Sequence, residues 1–199
     1  MHQSSYANML AFRQKYLAAR RDETLQILDI GSYDVNGSYK AIFNEEKWCY
    51  RGVDISEGPN VSVILSDLYN WREIKSSTID LVISGQAFEH IEYVWLTMLE
   101  IYRVLKPGGL CCIIAPSGGE EHRYPVDCWR FYGDGFKALA RYASLDLVEV
   151  YTQEQAGDFS DDSNSWKDTV FIGKKPCFNL LTAGKARLKH LLIRKLSKS

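Results

Sequence analysis

Three aspartates close three apolar runs in this 199-residue chain: Asp29 in Leu25–Ile30, Asp54 in Trp48–Ile55 and Asp67 just after Val61–Leu65. The first run leads into Gly31-Ser32-Tyr33-Asp34-Val35-Asn36-Gly37. A glycine there lets the backbone approach a ligand closely or take a positive φ. A carboxylate closing the second run can accept from both vicinal hydroxyls of a ribose. Asp67 could accept from an exocyclic amine, with Ile55 and Leu68 as apolar walls for a purine. A fourth run, Thr78–Ser84, passes into Gly85-Gln86-Ala87-Phe88-Glu89-His90-Ile91. Taken singly, each feature is commonplace, because an aspartate at a strand end often caps a helix or forms a turn. In this order, at successive strand ends, they describe one cofactor site.

A second group of reactive side chains lies in residues 116–132, Pro-Ser-Gly-Gly-Glu-Glu-His-Arg-Tyr-Pro-Val-Asp-Cys-Trp-Arg-Phe-Tyr. The segment is long for a bare connection, which favours a substrate loop. Its His122 is the first candidate for a general base, since an imidazole titrates near neutrality. His90 is the second and Asp127 the third. The plainer alternatives are a surface histidine for His122 and turn organisation for Glu89-His90. Arg123, Tyr124, Trp129 and Arg130 combine aromatic faces with charge, as a sugar or another polar ring would need. His122 with Glu120, Glu121 and Asp127 could be drawn as a metal cluster, but carboxylates are common in polar loops and no metal is expected.

The elements that must position these groups follow from hydrophobic period and breakers. Tyr6–Arg20 reads as an amphipathic helix carrying Met9, Phe12, Tyr16 and Leu17. Strands are expected at Leu25–Ile30, Trp48–Ile55, Val61–Leu65, Thr78–Ser84 and Leu110–Ala115. Helices are expected near Ser38–Asn44, over Glu89–Leu105 with a stop at Pro107-Gly108-Gly109, and over Asp134–Tyr142. Leu145–Tyr151 and Thr169–Ile172 have no helix between them and should pair antiparallel. Strands alternating with helices imply an α/β fold: a Rossmann-like, seven-stranded, mostly parallel sheet covered on both faces, the last strand antiparallel. In such sheets ligands bind at the carboxyl ends of the strands.

Composition agrees with one globular domain: 46% hydrophobic and 25% charged residues. No apolar run reaches the roughly 18 residues of a membrane span. The N-terminus lacks the basic start and apolar core of a secretory signal. Five cysteines without a Cys-x-x-Cys pair suggest a reduced, cytoplasmic protein. The net charge of −1 conceals an asymmetry. After Phe171 there are eight bases and no acids, which leaves sixteen bases against all 25 acids in the body. An acidic body argues against a nucleic-acid partner. Residues 1–175 are therefore read as the domain, with 1–24 as its N-terminal helical segment, and 176–199 as a basic amphipathic helix. That helix sets Leu188, Leu191, Leu192 and Leu196 on one face. It either packs on its own domain or makes a weak peripheral contact with a membrane surface or a protein.

The ordered motifs resemble the class I S-adenosylmethionine-dependent methyltransferases. The resemblance is carried by Leu28-Asp29-Ile30-Gly31-Ser32, Gly52-Val53-Asp54-Ile55, Ser66-Asp67-Leu68 and Asp80-Leu81-Val82-Ile83-Ser84. It continues through Phe88-Glu89-His90-Ile91 and Arg103-Val104-Leu105-Lys106-Pro107-Gly108-Gly109-Leu110, and spans about residues 25–116. It implies S-adenosyl-L-methionine as cofactor. Asp29, Gly31, Ser32, Tyr33 and Gly37 would line the methionine part. Asp54 with Ile55 would take the ribose, Asp67 with Leu68 the adenine, and Gln86 would lie near the sulfonium. The glycine loop departs from the family pattern: Tyr33 replaces the second glycine, and the next comes only at Gly37. The variant loop and the Tyr124–Phe131 run resemble a subgroup associated with glycan or cell-surface biosynthesis. The expected reaction is methyl transfer, O-methylation above all, to a small-molecule or glycan acceptor. A nicotinamide dehydrogenase would need Gly-x-Gly-x-x-Gly after the first strand, which is missing. The alternative from another class is a non-catalytic cofactor-binding partner or scaffold protein.

Overall fold

The computed structural model describes residues 2–153, 156–177, 184 and 188–193. Its strands are β1 (Leu25–Ile30), β2 (Trp48–Asp54), β3 (Val63–Ile64), β4 (Ile79–Gly85), β5 (Leu105–Pro116), β6 (Asp146–Thr152) and β7 (Asp168–Lys174). They form one sheet in the order β3-β2-β1-β4-β5-β7-β6. β1 pairs parallel with β2 and β4, β2 with β3, and β4 with β5. β7 runs antiparallel to both β5 and β6. The reversal of direction from β1 opens a crevice above its carboxyl end.

The helices are α1 (Gln3–Leu17), α2 (Val94–Val104), α3 (Gly133–Ala143) and the short α4 (Ser163–Trp166). Alternation along the strands divides the core. Leu25 and Ile27 of β1 point to a layer with Met9, Phe12 and Leu17 of α1. Leu28 and Ile30 point to the opposite layer with Val94, Met98 and Phe136 of α2 and α3. Period-2 side chains force this division wherever a sheet is covered on both faces.

Several boundaries differ from expectation. The helix read as Tyr6–Arg20 starts at Gln3 and ends at Leu17, followed by a 3₁₀ turn at Ala18–Arg20. The helix near Ser38–Asn44 is a 3₁₀ turn at Lys40–Phe43, and β3 is only two residues long. The helix read as Glu89–Leu105 is broken. Phe88–His90 is a 3₁₀ turn and α2 begins at Val94. The Glu89 carbonyl cannot continue a helix, because it accepts the Cys128 and Trp129 N–H groups. Pro107-Gly108-Gly109 does not simply stop a helix either. Leu105 already pairs with Ile79, and the register then shifts so that Leu110 pairs with Leu81. The intervening bulge is held by Gly108 N–H to the Lys175 carbonyl and Lys175 N–H to the Gly109 carbonyl.

Among the described residues no helix is long and apolar enough to cross a membrane. Of the basic segment, residues 178–183, 185–187 and 194–199 lie outside the described residues. Residues 188–193 are helical. The side turned to the domain carries His190, whose ring centroid lies 4.5 Å from that of Tyr102, and Ile193. Leu188, Leu191 and Leu192 are exposed. Burial, aided by Lys189 and Lys175 and opposed by an Ala143 backbone hydrogen bond, pushes the His190 imidazole down to about 4. A depressed imidazole contributes stability that is complete above its unfolded value of about 6.5 and is lost as pH falls toward 4. Hydrogen exchange of residues 188–193, corrected for intrinsic rates, should therefore be several-fold faster at pH 5 than at pH 7.5. His190→Gln should remove the difference.

Candidate functional site

A cavity of about 1020 Å³ opens at the carboxyl ends of β1, β2 and β4. Its size exceeds a single drug-sized ligand and suits a cofactor with an acceptor beside it. At β1, Asp29 is buried and accepts a hydrogen bond from the Tyr50 hydroxyl. Asn60 donates to that hydroxyl at 2.9 Å and to the Ser32 carbonyl at 3.1 Å, tying the loop after β1 to β2. Burial pushes the Asp29 carboxyl up to about 7, and the Asp54 charge adds to this. A cation placed beside Asp29 would restore its charged form.

Gly31 has φ +71°, and a Cβ there would stand 2.3 Å from the Ala87 side chain. Only glycine allows the first loop to turn here and lie against the loop after β4. Ser32 is buried beneath the turn. Tyr33, in place of the family glycine, lays its ring over Gly58, where a Cβ would come within 2.1 Å of the ring. Its N–H bonds the Asp54 carboxylate at 3.2 Å. Asp34 accepts from Gly37 N–H at 2.6 Å, which closes the lengthened loop as its own turn. Asp54 also accepts from Ile55 N–H at 2.7 Å and Ser56 N–H at 3.1 Å. These three amides fix the carboxylate and leave acceptor capacity toward the cavity. Ile55, Leu65 and Leu68 form an apolar wall beyond it.

Gln86 forms the floor after β4 in a left-handed conformation, φ +56°. Such backbone costs about 1–2 kcal/mol and persists only when its surroundings enforce it. Here its N–H bonds the Ile114 carbonyl, and its amide donates to Asp168 at 2.8 Å. Ser4 of α1 donates to the other Asp168 oxygen at 2.6 Å. The N-terminal helix thus braces the floor.

The far wall carries His90, His122, Arg123, Tyr124, Trp166 and His2. His90 Nδ1 lies 2.6 Å from the Val126 carbonyl, which can only accept, so the proton sits on Nδ1. His122 Nδ1 lies 3.4 Å from both the Glu120 carbonyl and the Asp127 carboxylate. The two rings meet edge to face at 4.9 Å, and His122 meets Trp166 at 4.6 Å. Behind them Glu89 is wholly buried. Burial pushes its carboxyl up to about 8.

The structure redistributes four of the expected site residues. Asp127 does not line the cavity. Arg130 grips both its oxygens at 2.6 and 2.8 Å, and His122 N–H adds a third bond at 2.8 Å. Held down at about 2 in this way, it is too weak a base for catalysis and instead positions His122. Arg130 is correspondingly used up inside the loop, where it also bonds the Glu120 and Trp129 carbonyls. Trp129 donates its indole N–H to the Ile91 and Glu92 carbonyls and pins the loop to the start of α2. Neither residue faces the cavity. Asp67 accepts the Tyr69 N–H at 2.8 Å and stands behind Leu68, outside the lining. Arg123 and Tyr124 do face the cavity, with Arg123 paired to Glu121 at 2.8 Å. Sequence reasoning overlooked Asp168, Trp166, His2 and the burial of Glu89. Only Glu89 had a signal, its place beside His90 at a strand end.

This sheet order, with a crevice built from β1, β2 and β4 loops, defines a nucleotide-cofactor α/β domain. Residues 28–113 match the family model described as a methyltransferase domain. That match spans 86 of the 199 residues and, with the strand order, supports a methyltransferase domain of Rossmann-like fold. Among curated proteins none matches the sequence. Solved structures share the fold. A S-adenosylmethionine-dependent methyltransferase from Archaeoglobus fulgidus aligns with TM-score 0.63 at 18% identity, covering 86% of this chain and 95% of its own. One from Aquifex aeolicus aligns with TM-score 0.57 at 16%, covering 77% and 83%. Haemonchus contortus phosphoethanolamine N-methyltransferase 2, in complex with S-adenosyl-L-methionine, aligns with TM-score 0.56 at 17%, covering 76% and 49%.

Proposed function

We propose that this methyltransferase moves the methyl group of S-adenosylmethionine to an oxygen of a small-molecule or glycan acceptor. The observation that supports this is the far wall of the cavity. Two imidazoles with their Nδ1 protons turned to carbonyl and carboxylate oxygens face the space beyond the cofactor crevice, beside Arg123, Tyr124 and Trp166. In this reading Asp54 accepts from the ribose hydroxyls and Ile55 and Leu68 flank the adenine. Asp29 and the amides of the Gly31–Gly37 loop hold the methionine end, and Gln86 lies under the sulfonium. The domain is residues 1–175, with 176–199 appended to it.

The methyl group is already activated on a positive sulfur, so the chain has mainly to align the partners. Alignment can contribute about 7–11 kcal/mol. The acceptor hydroxyl gives up its proton at the His90–His122 wall. Its oxygen then forms a bond to the methyl carbon in line with the carbon–sulfur bond. That bond breaks with its electron pair on sulfur, leaving neutral S-adenosylhomocysteine.

The test combines binding with transfer. Calorimetry with S-adenosylmethionine should give a micromolar, one-to-one complex. Methyl-labelled cofactor incubated with hydroxylated small molecules and sugars should then label an oxygen. His122→Ala should lower turnover by about 10²–10⁴-fold, the range of a lost acid–base group, with cofactor affinity unchanged. Label found on nitrogen would overturn the O-methylation assignment. Tight cofactor binding without transfer to any acceptor would favour the non-catalytic partner instead.

A further inference from the structure

The least explained group in the molecule is Glu89. It is 0% exposed, and among the described residues neither of its carboxylate oxygens has a hydrogen-bond partner. A buried carboxyl without partners is unfavourable, charged or protonated, unless a cation or a hydrogen-bonding group meets it. The nearest candidate is His90, whose Nε2 lies 3.8 Å from Glu89 Oε1. Because His90 Nδ1 carries its proton toward the Val126 carbonyl, that Nε2 presents a lone pair rather than a proton to the carboxylate. An imidazole lone pair therefore faces a carboxyl with no partner on either oxygen, across a gap of 3.8 Å that is too wide for a hydrogen bond. His122 adds a third group: one donor atom each from Glu89, His90 and His122 lies within 4.8 Å of the others.

We propose that Glu89, His90 and His122 bind a divalent transition-metal ion such as Zn²⁺ or Mn²⁺. Two imidazoles and one carboxylate are the donor set of metal sites that keep coordination positions open for water or substrate. Donors on a bound ion stand about 2.0–2.2 Å from it, so the group must contract. The half-buried His122 is on a loop and can move inward. The outer shell is already in place. The Val126 carbonyl orients His90, and Asp127, itself gripped by Arg130, orients His122. Metal-bound histidines characteristically have such partners on their other nitrogen. This also gives a purpose to the Asp127–Arg130 pair, which does not reach the cavity. His90 and His122 line the cavity while Glu89 lies behind them, so the open positions face the acceptor space.

This deepens the proposed function and rests on it for the role of the ion, with one change: the two imidazoles, as ligands, would no longer take the proton, and an acceptor hydroxyl bound to the metal would become more acidic and lose its proton to solvent. It fits an acceptor that can chelate through neighbouring oxygens, such as a vicinal diol.

The test uses the full-length chain stripped with a chelator and titrated with Co²⁺, read by visible absorption, and with Zn²⁺ by calorimetry. One equivalent should bind. Glu89→Gln and His122→Ala should each weaken it by more than about 100-fold, beyond the 10–100-fold typical of outer-shell changes. S-adenosylhomocysteine affinity, measured on the same samples, should stay within twofold and report that each variant is folded. His122→Ala keeps the test independent of any folding defect at the buried Glu89. Absence of one-equivalent binding would overturn the proposal. So would binding that survives both variants and falls with His2→Ala, since His2, Asp161 and Asp162 form a second, mostly exposed group. S-adenosylhomocysteine binding without metal binding would sink the metal site alone. Metal binding without nucleoside binding would sink the methyl-transfer reading and leave the metal site standing.

Discussion

Replacing Asp54 with alanine should weaken S-adenosylmethionine binding about 100-fold. A hydrogen bond to a charged group contributes about 1.5–3 kcal/mol, and the ribose offers two hydroxyls to one carboxylate. A total near 3 kcal/mol corresponds to about two decades in Kd. Part of the loss would come from the loop. The Tyr33, Ile55 and Ser56 amides all bond this carboxylate, so removing it releases the glycine loop as well as the ribose. Asp54→Asn keeps an acceptor oxygen for the amides and loses the charge. It should fall between wild type and alanine, near tenfold. Calorimetric titration of both variants, with circular dichroism to confirm the fold, decides the matter. An alanine variant within threefold of wild type would remove Asp54 from the cofactor site.

The second large effect is on stability. Glu100 of α2 is wholly buried, and Arg103 one turn later surrounds it. Arg103 Nε bonds both Glu100 oxygens at 3.1 and 2.9 Å, and Nη2 adds another bond at 2.7 Å. The same guanidinium reaches the Trp71 carbonyl at 2.7 Å and the Ile74 carbonyl at 2.8 Å. Glu100 in turn accepts the Trp71 N–H at 2.9 Å. This knot fastens the connection between β3 and β4 to α2. Arg103→Ala takes the cation from a buried carboxylate and should cost about 3–5 kcal/mol. For a chain of this length that lowers Tm by about 10 °C. The double variant Glu100→Ala/Arg103→Ala should recover part of the loss, because the stranded charge is gone. Since neither residue reaches the cavity, cofactor affinity of the folded protein should not move. A single-variant Tm within 2 °C of wild type would mean that the knot is not structural.

Much of the fold was legible in the sequence because local chemistry decides it. Apolar runs, each closed by an aspartate and a turn, announced β1, β2 and β3, and the Thr78–Ser84 run announced β4. The gap between Leu145–Tyr151 and Thr169–Ile172, read as free of helix, announced the antiparallel pair; the structure places the one-turn α4 within it, too short to carry a parallel crossover. The strand-end side of the cavity was legible for the same reason. Its residues sit directly after strands, and Gly31, Asp54 and Gln86 keep those positions whatever the rest of the chain does.

The acceptor side was not legible, because its contacts close over large sequence separations. Gln86 meets Asp168, 82 positions away, and Ser4 meets the same carboxylate from 164 positions away. Nothing local marks Asp168 as the brace of the floor. Asp127 read as a candidate base and Arg130 as a ligand for a substrate. Three residues apart in an irregular loop, they satisfy each other, and only the folded loop could show that. Glu89 is the sharpest case. Its neighbours in sequence suggested a helix start, yet the Cys128 and Trp129 amides capture its carbonyl and turn the chain there, leaving its carboxylate enclosed. The sequence by itself determined the α/β order and placed Asp29, Gly31, Asp54 and Gln86 at successive strand ends, since these follow from periodicity and turn chemistry. Only the tertiary structure decided which polar groups of the substrate loop face the cavity and which neutralise one another. Burial and pairing of charges depend on what the rest of the chain brings against them.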